Sequence, residues 1–335
     1  MDQELSISLL KRVFADIVRG YSVAYDDKFG KIYVKHLNSF DSSDLETEKE
    51  QYFEKAKRMG VPTEAEQEKM LLEQGLWSED QEKAIAEQKV FTENLKRQKS
   101  KLYLKSQIEV LKKEIAKAEE KLKELQLEKL QLIGNTCETF AAKKINEYYM
   151  YISVFEDEDL EERKFSSTEF DELSDSDLVS LINVYNQTSA KFDHTVIKKV
   201  ALSPLFLNFF YLCDDSAVNF YGEPIVHLTF YQTEVFSYGL QFKNILSDTK
   251  NKPPDEIAND PDKLIEWADA NKNAKEILDK AKDEEGAASS IVGATKEDLE
   301  HLGVDMKTEG ISLEKAAADK GGSLNMQDLM KLHGV

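Results

Sequence analysis

The sequence predicts a mainly α fold: a helical bundle with a protruding antiparallel helical hairpin (a coiled coil), one small N-terminal β-hairpin and a flexible, acidic C-terminal tail. Three observations point there. Apolar residues recur at helical spacing along most of the chain up to Leu246. Hydroxyl residues followed three positions later by Glu or Gln open successive segments, and single glycines close them. A charged share of 32% beside a hydrophobic share of 41% suits helices with one buried face and one wet face.

Leu5 to Val18 has helical period and ends at Gly20. Two β-prone runs, Tyr21–Tyr25 and Lys31–His36, flank the Asp26–Gly30 turn and predict a hairpin, the one clear β element expected. Ser43 with Glu46 predicts a capping box for a helix ending at Gly60. Thr63 with Glu66 opens a second helix, closed by Gly75, and Ser78 with Gln81 a third. The third continues through Ile85, Phe91, Leu95 and Leu102. Its register then breaks, and Ser106 with Glu109 predicts a new cap. Ile108, Leu111, Ile115, Ala118, Leu122 and Leu125 follow in a/d spacing as far as Gly134. Two helices around the Tyr103–Lys105 break fold most simply back on each other. The rival is one continuous coiled coil in a dimer, disfavoured because the heptad register does not survive the break.

Thr136 opens a helix carrying Phe140, Ile145, Tyr148, Ile152 and Phe155. The acidic stretch from Glu156 to Glu172 predicts a loop with a short turn. Ser174 and Asp177 cap a helix running to Tyr185. The densest apolar runs, 203–213 and 220–242, predict two buried helices joined by a turn from Asp214 to Gly222, with Pro204 and Pro224 in their first turns. Beyond Leu246 the prolines 253, 254 and 261 interrupt and large apolar residues thin out, which predicts a linker and a tail with short helices at 261–281 and 296–302. The predicted organisation is therefore 1–41 (helix and β-hairpin), 42–135 (capped helices and hairpin arm), 136–248 (aromatic-rich helical core) and 249–335 (tail).

The net charge of −20 repels nucleic acid and anionic membranes and favours basic protein partners. The two cysteines, Cys137 and Cys213, sit in apolar surroundings and read as reduced core residues. The opening MDQELSISLL lacks the basic and apolar regions of a signal peptide. The longest apolar stretch, Leu205–Leu212, is far too short to span a bilayer. Together these predict a cytoplasmic protein with no membrane contact.

The glycines are scattered, so no phosphate-binding loop is formed, and no nucleotide or other cofactor is expected. The histidines are isolated from one another and form no zinc-ligand spacing. Cys213 and His227 flank one turn, but a core role for His227 is the simpler reading. Asp214–Asp215 beside the aromatic core is the one carboxylate pair considered for acid–base work, which makes a hydrolase one alternative function; a turn role is simpler. No catalytic residue is assigned and the chain is read as non-enzymatic.

Two partner-binding candidates remain. Between Leu95 and Lys113, Lys96, Arg97, Lys99, Lys101, Lys105, Lys112 and Lys113 face only Glu109, a basic hairpin tip in an acidic chain. It could meet an acidic protein surface, or nucleic acid or a ribonucleoprotein as a second alternative function, though acids on the neighbouring helix turns also neutralise such a face. Near the end, Leu324, Met326, Leu329, Met330 and Leu332 suit a helix-in-groove ligand, or a helix docked on the chain's own body.

The stretches Phe206–Asp215, Phe220–Gln232, Lys31–His36, Gly60–Glu64 and Leu76–Ser78 resemble proteins of virion assembly in large contractile-tailed bacteriophages, in particular tail and baseplate morphogenesis proteins and tail assembly chaperones. The resemblance spans roughly residues 20 to 246 and transfers no functional residue. It implies a non-enzymatic role in building a tail or baseplate, in the host cytoplasm or the virion, with other virion proteins as partners.

Overall fold

The computed structural model describes residues 7–102, 104–249 and 251–283. The fold is mainly α with one small sheet, as the periodicity predicts. The described chain divides into two compact units: a larger one holding its residues up to Glu93 and Lys117–Ala268, and a smaller one holding Asn94–Ala116 and Asp269–Asp283.

In the larger unit, α1 (Ile7–Arg19) buries Val13, Asp16 and Ile17 on one face. Gly20 stops it in the left-handed region (φ 77°), and its N–H returns to the carbonyls of Asp16 and Ile17. The chain enters β1 (Tyr21–Asp26) at once and turns into β2 (Gly30–Lys35), pairing Tyr21 with Lys35 and Asp26 with Gly30. Asp26 Oδ1 accepts the N–H groups of Lys28 and Phe29 and sets the turn. A third strand, β3 (Val154–Phe155), pairs antiparallel with β2, so the sheet exceeds the expected hairpin. Two residues are too few to leave an alternating pattern in the sequence.

Helix α2 (Ser39–Arg58) starts five residues before a cap at Ser43 would place it. Its cap is Asn38, whose Oδ1 accepts from Phe40 and Asp41 while Asp41 returns a bond to the Asn38 N–H. Ser43 therefore lies inside the helix, its carbonyl accepting the Thr47 hydroxyl. The expected box at Ser43 and Glu46 loses because the Phe230 N–H holds the Leu37 carbonyl, fixing where the chain leaves the strand. The next two boxes hold: Thr63 with Glu66 opens α3 (Glu64–Glu73), and Ser78 with Gln81 opens α4 (Glu79–Lys99).

Helix α5 (Lys105–Ile133) runs back along α4. At 1.5 Å per residue its 29 residues span about 44 Å. Gln88 Nε2 donates to the Ala118 carbonyl at 3.0 Å, and Lys129 meets Glu82 at 3.0 Å and also Glu68. Low numbers on one helix meet high numbers on the other, which is an antiparallel hairpin within one chain. Its base is sealed by Leu71, Trp77 and Ile133, with the Trp77 indole N–H donating to Glu82. Because α5 begins at Lys105, Ser106 and Glu109 fall inside its first turns rather than at its cap.

A first core lies under the sheet, where Ala24, Ile32 and Val34 meet Met150 and Val154 from α6 (Cys137–Ser153) and β3, and Leu181 from α8 (Asp175–Ser189). Between them the acidic loop is organised by Asp157, whose carboxylate accepts the N–H groups of Asp159, Glu161 and Glu162, and α7 (Ser167–Asp171) supplies the short turn.

The second, larger core is aromatic. It gathers Ile17, Phe192, Ile197 and Val200 of α1, the 3₁₀ turn 190–192 and α9 (His194–Leu202) around Phe206 and Phe210 of α10 (Pro204–Phe210) and Phe242 of α12 (Phe230–Ser247). Pro204 sits in the first turn of α10 under a Ser203 cap, as expected. The run 220–242 is not one helix, however. The short α11 (Ala217–Tyr221) ends at Gly222 (φ 82°), Pro224 introduces only the 3₁₀ turn Ile225–His227, and α12 begins at Phe230 under a Thr229–Gln232 box.

The ordered body also extends past Asp248. After α13 (Asp255–Ala258), helix α14 (Pro261–Asp283) runs without a break, and Ile257, Leu264 and Trp267 enter the aromatic core. The expected tail boundary at 249 overlooked this stripe, since Leu264 and Trp267, three apart, are sparse in a polar background. The rest of the expected tail, from residue 284, lies outside the described residues.

In the smaller unit, Leu95, Leu104, Ile108 and Ile115 are buried along the end of the hairpin. Asn273 of α14 donates its carboxamide to the carbonyls of Ser100 (3.0 Å) and Leu102 (2.9 Å). Those carbonyls follow the end of α4 and have no partner in the helix ladder.

Candidate functional site

The basic residues of the hairpin come together as a local cluster. Lys96, Arg97 and Lys99 occupy the last turn of α4, where cations suit the helix dipole; Lys101 lies in the connection and Lys105 opens α5. Arg97, Lys101 and Lys105 are exposed. Lys96 and Lys99 take part in contacts within the chain, and Asn273 ties the connection itself. The second candidate set, Leu324, Met326, Leu329, Met330 and Leu332, lies outside the described residues.

Asp214 and Asp215 are exposed turn residues, both in the left-handed region (φ 50° and 57°). Asp215 pairs with Lys243 at 2.6 Å, and the lysine Nζ lies 5.9 Å from the centre of the Phe210 ring. The pair reverses the chain after α10 and pins the turn to α12. Cys213 is buried, its thiol directed at the Phe210 carbonyl, while His227 is exposed against Phe40. The reading of His227 as a core histidine is thus overturned: it sits in a 3₁₀ turn on the surface. Among the described residues no group of three His, Cys, Asp or Glu side chains is placed to hold a metal ion.

The core histidine is His36, which follows β2 and is only 4% exposed. Its Nε2 shares a 2.9 Å hydrogen bond with Ser22 Oγ. The ring packs edge-on against Phe192 and Tyr231, at centroid distances of 4.7 and 5.0 Å. Nδ1 is buried and has no hydrogen-bond partner among the described residues. Burial holds the His36 pKa down at about 3, because nothing beside the ring compensates a positive charge. Burial likewise raises the Asp16 carboxyl, against the pull of Arg12, Lys191 and Arg19. A cavity of about 100 Å³ adjoins the ring, edged by Tyr149, Tyr185, Thr188 and Ser189.

Two further features escaped the sequence reading. Tyr238 and Glu234, one turn apart on α12, hold His194 from both sides: Nδ1 meets Glu234 Oε1, and Nε2 meets the Tyr238 hydroxyl at 2.8 Å. His194 lies 40 and 44 residues from Glu234 and Tyr238, across the α9–α12 contact, so no local spacing could announce the trio. A groove of about 700 Å³ also opens between α6 and α8, floored by Met150, Leu178, Val179 and Ile182 and rimmed by Asn146 and Asn186.

A run of exposed apolar side chains is carried by α10 to α12. Phe209, Tyr211, Leu212, Val218, Ile225, Val226 and Phe230 all point outward, with Leu212 80% exposed. Phe206 and Phe210 pack against Phe220 and so hold α10 to α11. Phe40, 55% exposed, adds its ring at His227. Surface apolar residues scattered singly are ordinary, whereas these fall within 22 positions of one another in the chain. No helix among the described residues is long and apolar enough to cross a membrane. No family model, curated protein or solved structure matches this chain.

Proposed function

We propose that this chain is a non-enzymatic interaction protein of a larger assembly. On the resemblance of residues 20–246 the assembly is a bacteriophage tail or baseplate, built in the host cytoplasm, and the chain is a component or an assembly chaperone. The single observation behind the interaction reading is the exposed apolar run from Phe209 to Phe230, mounted on a buried aromatic core that can hold it rigid. Preorganised apolar side chains lose little conformational freedom on binding, so such a surface gains affinity cheaply. In this reading the segment Leu324–Leu332 and the basic cluster of Arg97, Lys101 and Lys105 provide secondary contacts.

The test is a photo-crosslinking amino acid placed at Leu212 and at Ile225 in the full chain, expressed in the producing cells. Adducts with tail or baseplate proteins at both positions, and none at a control site such as Glu128, are expected. Adducts confined to cytoplasmic proteins that are not part of the particle would remove the tail assignment. The absence of adducts at both positions would remove the apolar surface as the contact.

A further inference from the structure

His36 stands at a knot. Its backbone N–H donates to the Gly20 carbonyl at 2.8 Å, and the next carbonyl, Leu37, accepts the Phe230 N–H at 3.0 Å. Gln232 of α12 donates its carboxamide to the Val18 carbonyl at the end of α1. The seam between the sheet core and the aromatic core therefore closes around one imidazole. Ser22 and the strands lie on one side, and Phe192 and Tyr231 on the other.

The polar chemistry of that seam is complete only for the neutral ring. In the tautomer whose Nε2–H donates to Ser22 Oγ, Nδ1 keeps its lone pair. A proton on Nδ1 would create a donor facing no acceptor among the described residues. The titratable groups around the ring offer little relief. Asp16, from α1, is already shared by Arg12, Arg19 and Lys191. Lys35, beside His36 in the chain, is positive and paired with Asp41. Burial raises the phenol pKa values of Tyr149, from α6, and Tyr231, from α12, and the Tyr185 hydroxyl of α8 donates to the Tyr149 oxygen at 2.9 Å. The adjoining cavity of about 100 Å³ is large enough to admit water to a charged ring once the walls part.

We propose that His36 is an acid-operated latch: the neutral ring closes the seam between β2 and the start of α12, and protonation opens it. Opening frees Phe230 and the preceding 225–227 turn, so acid alters one end of the exposed apolar surface. The latch does not depend on the proposed function, because it is defined by the seam itself.

The open state binds a proton at the ordinary histidine pKa of 6.5 while the closed state resists it. Opening should therefore become up to about a hundredfold more favourable at pH 4.5 than at neutral pH. The experiment follows the His36 ring by NMR and the exchange protection of the His36 and Phe230 amides in the full chain from pH 7.5 to 4. Protection is corrected for intrinsic exchange, and His36→Phe and His36→Gln are run beside the wild type. Loss of protection that tracks ring protonation in the wild type, and is absent from the variants, is the expected result. Loss that occurs while the ring is still neutral, or equally in a non-titrating variant, would assign the opening to carboxylates and overturn the latch. So would a ring that titrates near 6.5 with protection unchanged. If neither variant folds, the wild-type comparison of ring and amide midpoints still decides.

Discussion

Gly239 of α12 faces Phe206 of α10 so closely that a Cβ built on the glycine would lie 2.6 Å from Cε1 of the ring. Two forces compete at this position. Alanine would favour the helix by about 1 kcal/mol. It would also have to displace a ring that is fully buried, stacked on Phe210 at 5.1 Å and edge-on to Phe14 at 5.8 Å. Overpacking costs about 1–3 kcal/mol, and Phe206 has nowhere to go. Gly239→Ala is expected to lower stability by up to about 2 kcal/mol net, read by urea unfolding. A more stable variant would show that the two helices can separate at little cost.

Overall stability should depend on pH through His36. The folded pKa, about 3, lies below the ordinary 6.5, so the unfolded chain binds more protons between those values. The contribution is present in full above about pH 6.5 and is lost as pH falls toward 3, to a total on the order of 4 kcal/mol. Comparing urea midpoints of wild type and His36→Phe at pH 7 and pH 4.5 should show the variant losing less. Equal losses would mean that the ring is not the dominant proton acceptor on unfolding.

Asn273→Ala should loosen the turn of the hairpin. The substitution leaves the Ser100 and Leu102 carbonyls without their donor, a cost of about 1–2 kcal/mol for two hydrogen bonds at a partly exposed site. Hydrogen exchange should accelerate at the start of α5 and remain unchanged at the hairpin base, where Gln88 and Lys129 bridge the helices. Unchanged exchange at both places would show that water replaces the carboxamide at no loss.

Leu212→Asp should separate folding from binding. At 80% exposure the side chain contributes little to the core, so stability should change by no more than about 0.5 kcal/mol. Crosslinking from Ile225 should nevertheless weaken if Leu212 and Ile225 belong to one contact. A melting temperature that falls by many degrees would place Leu212 in a structural role instead.

Much of the architecture could be read in the chain itself. The boxes at Thr63 and Ser78, the helix start at Thr136, the stop at Gly20 and the a/d series from Ile108 are local devices in which neighbours satisfy one another, so spacing reveals them. The basic cluster was equally visible, because residues adjacent in sequence stay adjacent at a helix end. What was missed follows from the same logic. Asn38 displaced Ser43 as a cap because of a hydrogen bond from Phe230, nearly two hundred residues away. Helix α14 joined the core because a distant aromatic surface could receive Leu264 and Trp267.

By itself, then, the sequence determined the helix class, most caps, the β-hairpin and the charge pattern, since each depends on contacts within a few residues. Only the tertiary structure decided that His36 rather than His227 is buried, that Glu234 and Tyr238 grip His194, and that the hydrophobic run 209–230 turns much of its surface outward. Burial is a property of what packs against a side chain. Those neighbours come from other elements, through long-range contacts that no local spacing encodes.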